Sequence, residues 1–163
     1  MKPANKPEMQ ELSEQVLVIT RLFDAPRELV FAAWTDPKHV AQWWGPRGFS
    51  IPHCELEVQP GGAMRIDMLG PDGRLYPMKG VFHEIVPPQR LVFMSKAFEN
   101  EAGDPQLEVL HTITFTDVGD QTRLTLEARV VKATPKVAEA LAGMEQGWVQ
   151  ALDRLAESLQ STK

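Results

Sequence analysis

His111 is the residue of this chain best placed to do chemistry, because it interrupts an otherwise apolar strand face made by Val109, Ile113 and Phe115. An imidazole in such a setting can orient the polar group of a ligand, act as a general acid or base, or hydrogen-bond a neighbour in the core. Metal chemistry fails on spacing. His53 and Cys54 are adjacent, and adjacent residues of a strand point to opposite faces, so one ion does not easily take both. His83-Glu84 begins like a zinc-protease helix but continues Ile85-Val86-Pro87 with no second histidine, and the proline denies the helix. No Gly-x-Ser-x-Gly elbow, phosphate-cradling glycine loop or dinucleotide fingerprint is present. These residues lead to no cofactor, no metal and no recognisable catalytic set, and to binding ahead of catalysis.

Around His111 the sequence offers large and adaptable apolar side chains. Trp43 and Trp44 are neighbours, about 100° apart on a helix, so one is free to face a cavity while the other packs beneath the following loop. Trp148 lies mid-stripe on a late helix, and Phe49 and Phe93 are further aromatic candidates. Met64 and Met68 share a strand face, Met78 and Met94 follow on neighbouring strands, and Met144 lies on the helix. Methionine adapts its shape to irregular apolar guests, although plain gap-filling in the core explains it as well. The candidate ligand-binding set is therefore Trp43, Trp44, Phe49, Met64, Met68, Met78, Phe93, His111, Met144 and Trp148. Arg65 and Asp67, opposite Met64 and Ile66, read as a solvated surface.

The elements that must position this set are legible from period and punctuation. Residues 1–14 are polar with two prolines and read as a mobile tail. Gln15 to Phe23 is apolar on both faces, which predicts a strand covered on both sides. Pro26 and Asp36-Pro37 open two short helices, the second stopped near Trp44 by Gly45-Pro46. Four or five strands are then expected from about Glu57 to Val131, divided by Pro60-Gly61-Gly62, Pro71-Asp72-Gly73, Pro87-Pro88-Gln89, a Gly103-containing loop and Val118-Gly119-Asp120, in an antiparallel meander. Leu124, Leu126, Ala128 and Val130 alternate with Arg123, Thr125, Glu127 and Arg129, giving one buried and one wet face. Thr134-Pro135 opens a final helix to about Gln160, whose Val137, Leu141, Met144, Trp148, Leu152, Leu155 and Leu159 form one stripe. Gly143 and Gly147, one turn apart within it, suggest a close packing partner or a kink.

A chain of 163 residues suits one domain, residues 15–163, large enough for a core plus a cavity. A formal net charge of -5 lacks the basic footprint of a nucleic-acid binder. The single cysteine, the polar first residues and the absence of a run of roughly 20 apolar residues lead to a cytoplasmic protein without a membrane span.

The words Arg21 to Pro26 with Val30 and Phe31, Thr35-Asp36-Pro37, Trp43-Trp44-Gly45-Pro46, Pro60-Gly61-Gly62, Pro71-Asp72-Gly73, Gly80 to Glu84, Pro87-Pro88 with Leu91, and Gly147-Trp148, in this order, resemble the START-like (SRPBCC) superfamily. More narrowly, they resemble its family of activator-of-heat-shock-protein-ATPase homologues. The resemblance implies an α+β helix-grip fold: a curved antiparallel sheet wrapped around a long C-terminal helix, with a cavity between them and two short helices after the first strand. Related domains bind lipids, polyketides or other apolar ligands, and a few are cyclases. The expected partner is therefore an apolar small molecule, with a chaperone as a second possibility and cyclase-type catalysis on an apolar ketide as a third. The chaperone activator carries its similar domain behind a separate N-terminal domain, and the resemblance of this sequence is to that similar domain alone.

Overall fold

A computed structural model describes residues 15–162; the expected tail, 1–14, lies outside the described residues. Seven strands form one antiparallel sheet in the order β1-β7-β6-β5-β4-β3-β2. They are β1 (Val16–Phe23), β2 (Ser50–Leu56), β3 (Ala63–Leu69), β4 (Leu75–Val86), β5 (Arg90–Glu99), β6 (Pro105–Val118) and β7 (Gln121–Ala133). Between β1 and β2 lie α1 (Arg27–Thr35) and α2 (Pro37–Trp43). After β7 come a 3-10 turn (Pro135–Val137), α3 (Ala138–Ala142) and α4 (Met144–Thr162). The α+β helix-grip expectation holds: a curved antiparallel sheet carries the helices, including the long C-terminal one, on one face.

Alternation sets that face. Phe82, Phe93, His111, Ala128 and Leu17 stand in register across the sheet, and the next row is Met64, Gly80, Ser95, Val109 and Val130. A third row runs from Ile66 through Met78, Ala97 and Leu107 to Ala133. The helical stripe answers it, with Leu141, Leu152, Leu155 and Leu159 buried. Asp36 caps α2 by accepting from the Lys38 N–H at 3.0 Å, with Pro37 at the first helical position, where the lost N–H has no intrahelical partner in any case.

Four expectations need correction. The five strands β3 to β7 fill the expected stretch, but a sixth strand after the short helices, β2, precedes Glu57 and was not expected. Pro52 masks β2 in the sequence, yet β2 is an edge strand with a register shift between Ser50 and His53, which is where a sheet tolerates proline. β1 is the opposite edge, and Val16, Val18 and Leu22 on its outer face are exposed, Val18 by 59%, so it is not covered on both sides. Asp67 is no solvated surface residue: it is 5% exposed, since the pairing of β2 outside β3 leaves it inside the sheet. Its Oδ2 lies 3.5 Å from Arg65, and Oδ1 has no partner. Finally, the last helix is not continuous. It breaks at Gly143, which has φ -93 and ψ 0.

Candidate functional site

The site begins with the connection out of α2. Gly45 turns the chain with φ 87, a conformation that favours glycine, and a Cβ there would also stand 3.0 Å from the Met68 sulfur. The carbonyls left over at this helix end accept from one guanidinium on α4: Arg154 Nη1 donates to Trp44, Gly45 and Pro46 at 3.0, 2.9 and 3.1 Å, and Nη2 donates to Gln42 at 3.3 Å. Arg47 adds an ion pair to Glu157. Around this clamp lies an open polar depression of about 250 Å³ lined by Gln42, Arg47, Arg154, Glu157 and Ser158. Gly147 leaves room for Pro46, whose Cγ would lie 3.5 Å from an added Cβ. The clamp thus fixes the α2 end against α4 and turns Trp44 inward.

All four tryptophans of the chain meet there. Trp34, the last buried residue of α1, is the hub. It lies 4.7 Å from Trp43, 6.2 Å from Trp44 and 6.5 Å from Phe93, and it stacks on Trp148 at 5.8 Å and 18°. Trp148 also meets Trp44 edge-on at 5.4 Å. His111 stacks on Phe93 at 4.6 Å and 17° and meets Trp148 at 5.5 Å. Each such ring pair is worth about 0.5–1.5 kcal/mol beyond its buried area.

The expected residues fall into three groups. Trp44, Phe93, His111 and Trp148 come together. Met64 and Met78 line the two sheet rows beside His111 and are buried, and Met144 sits one turn before Trp148 against a second apolar cluster. The others stand apart: Trp43 donates Nε1–H to the Ala33 carbonyl at 2.9 Å and touches rings of this cluster only through Trp34 and Trp44, while Phe49 faces Tyr76 at 5.9 Å, and Met68 lies beside Gly45. Sequence reasoning missed Trp34, whose signal was its place as the remaining tryptophan, at the end of the first short helix.

Electrostatically, the cluster is defined by two buried nitrogens. His111 is 4% exposed and Trp34 is 2% exposed, and His111 Nδ1 and Trp34 Nε1 both lack a hydrogen-bond partner. Burial pushes the imidazole down to about 4, with hydrogen bonding toward the backbone of Phe93 and Val109 opposing part of the shift; none of these contacts has the geometry of a hydrogen bond to Nδ1. The ring is therefore neutral at physiological pH. His111 also marks a break in the core. The large apolar cluster holds Phe93, Ile113 and Leu152 with Trp148 packed against it, whereas Val109, Val130 and Leu141 belong to a separate cluster with Met144. Where a cavity was expected, rings stand at contact distance, so a guest would have to part Trp148 from His111. His53 and Cys54 point apart as the strand period requires: His53 pairs with Glu55 at 3.2 Å, and the half-buried Cys54 faces the core, its thiol pushed up to about 11 by burial and then by Asp36.

Comparison with known proteins agrees with this architecture. A Rhodobacter sphaeroides protein of known structure is 27% identical, with 91% of this chain and 93% of that one covered and a TM-score of 0.75. A Nitrosomonas europaea protein is 26% identical, with coverage of 90% and 95% and a TM-score of 0.74. A Silicibacter pomeroyi protein, at 24% identity, 91% and 100% coverage and a TM-score of 0.76, shares the fold. No functionally curated protein matches the chain. The profile of the family described as "Activator of Hsp90 ATPase homolog 1-like protein" matches residues 24–160, a span that runs from the turn before α1 to the end of the α4 stripe and takes in every ring of the cluster. With six of the seven strands, the clamp and nearly all of the gripping helix inside that match, the chain belongs to the activator of Hsp90 ATPase homolog 1-like family.

Proposed function

We propose that this protein binds an apolar small molecule between the inner face of the sheet and α4, at the break in the core beside His111 and Trp148. The observation that carries this reading is the unpartnered His111 Nδ1 in a wall of aromatic rings. A buried polar atom without a partner costs about 1–3 kcal/mol, and a ligand that hydrogen-bonds to it recovers that cost. The sheet beneath supports the reading: beside His111 lie Gly80, Ser95 and Ala97, small side chains flanked by Met64 and Met78. Affinity comes from apolar burial at about 25 cal/mol per Å², less the cost of association.

Catalysis fits the site less well. The His111 imidazole is neutral, and no carboxylate contributes to its shift, so the pair of groups that acid–base chemistry on a ketide needs is not assembled around it. The family's description favours a chaperone as a second kind of partner, and a chaperone ATPase assay with the purified protein decides between the two. The binding reading is tested by thermal melts with N-phenyl-1-naphthylamine, a neutral apolar dye. Saturable stabilisation with a rise in dye fluorescence supports it. Unchanged melting together with stimulation of a chaperone ATPase would replace it with the interaction module.

A further inference from the structure

We infer that the ligand of this site is uncharged and carries a hydroxyl or carbonyl oxygen on a flat apolar body, and that Trp34 and His111 select it against carboxylates. This rests on the binding reading above and names the chemistry of the guest.

Two observations carry it. First, the unsatisfied groups are both ring nitrogens, buried in one cluster, with Phe93 and Trp148 as shared ring neighbours. An indole N–H is a donor only, and a neutral imidazole offers one donor and one acceptor. An oxygen that accepts from the indole, or a hydroxyl that exchanges a hydrogen bond with the imidazole, satisfies what the protein leaves open. Second, nothing at the site compensates a negative charge. Among the described residues, the inner-face rows through Phe93, Ser95 and Ala97 contain no Lys or Arg. The inner-face cation at the β1 edge, Arg21, is taken by Asp153 of α4. Arg154, on the helix side of Trp44, donates to four backbone carbonyls, and Arg47 beside it is paired with Glu157. A carboxylate entering here would lose its hydration without a partner, whereas a hydroxyl loses little. The flat body follows from the rings, which open between stacked and edge-on faces rather than around a wide chamber.

The experiment compares three probes of one shape at pH 7.5 by tryptophan fluorescence and calorimetry: 2-naphthol, 2-methylnaphthalene and 2-naphthoate. We expect 2-naphthol to bind roughly tenfold more tightly than 2-methylnaphthalene, and 2-naphthoate at least tenfold more weakly than 2-naphthol, the difference one to two hydrogen bonds make. In Trp34→Phe and His111→Phe the advantage of the hydroxyl falls toward unity while 2-methylnaphthalene still binds. Equal affinity of all three probes, or tightest binding of the naphthoate, overturns the inference and leaves the binding site standing. An unchanged hydroxyl advantage in both variants overturns the assignment to these nitrogens. No binding by any probe removes the binding reading itself.

Discussion

At His111 a pH signature follows from burial alone. The folded protein holds the imidazole at about 4 against an ordinary value of 6.5, so between these values the unfolded chain takes up a proton that the folded one refuses. Stability is unaffected above the unfolded value and falls as pH drops from 6.5 toward 4, by about 3 kcal/mol in all. Replacing the ring by phenyl removes this slope. The difference between urea-melt stabilities of the wild type and His111→Phe should therefore shift steadily in favour of the variant across that window, and parallel curves would contradict the burial of His111. Trp148 is half-buried and touches Trp34, Trp44 and His111. Trp148→Ala should cost about 2 kcal/mol, less than the 3–5 of a fully enclosed ring; denaturant melts showing the full core penalty with unchanged dye binding would make Trp148 a plain core residue. His111 was legible because its strand alternates so regularly that an imidazole on the apolar face stands out. Trp34 was not, since a short helix of Arg27–Thr35 does not reveal which ring will meet others from distant segments. Asp67 misled for a related reason: alternation tells the face of a strand, not which strand pairs beside it.

Among the elements, β6 and β7 were read correctly because one face is buried and the other wet, and Leu124, Leu126 and Ala128 are indeed fully enclosed. The edges were harder. The outer valines of β1 looked like core, although a β-branched residue suits an exposed strand nearly as well, and Pro52 hid β2. The two helical glycines now separate. At Gly147 an added Cβ meets Pro46 Cγ at 3.5 Å, an ordinary contact, so Gly147→Ala should gain about 0.5–1 kcal/mol from helix propensity. Gly80 is the opposite case. Its Cβ would stand 2.5 Å from the Met94 carbonyl oxygen on the paired strand, and overpacking of that kind costs about 1–3 kcal/mol. Urea melts of Gly147→Ala and Gly80→Ala should move in opposite directions; a destabilised Gly147→Ala would mean that Pro46 cannot yield, and that the α2 clamp is tighter than the geometry implies. The break at Gly143 divides the gripping helix, so that α3 packs with the Val109 cluster while α4 packs with the tryptophans.

For the whole molecule, the sheet and the gripping helix follow from sequence patterns and agree with the family match, whereas the proposed binding turns on a few atoms inside them. Among the described residues no helix is long and apolar enough to cross a membrane. The proposed binding rests on a core divided at His111, with the half-buried Trp148 packed above it. A ligand confined to the folded state, present at a hundred times its dissociation constant, adds about 2.7 kcal/mol, or roughly 5–10 °C in melting temperature for a domain of this size. Location is the sharper test. The chain has four histidines, and imidazole nitrogen resonances, assigned with the help of His111→Phe, report each of them during a titration with N-phenyl-1-naphthylamine. The account predicts that the His111 signals shift and saturate together with quenching of tryptophan fluorescence, while those of the half-buried His53 on the β2 edge and the exposed His83 stay in place. Saturable binding of the dye that leaves the His111 signals unmoved would contradict it.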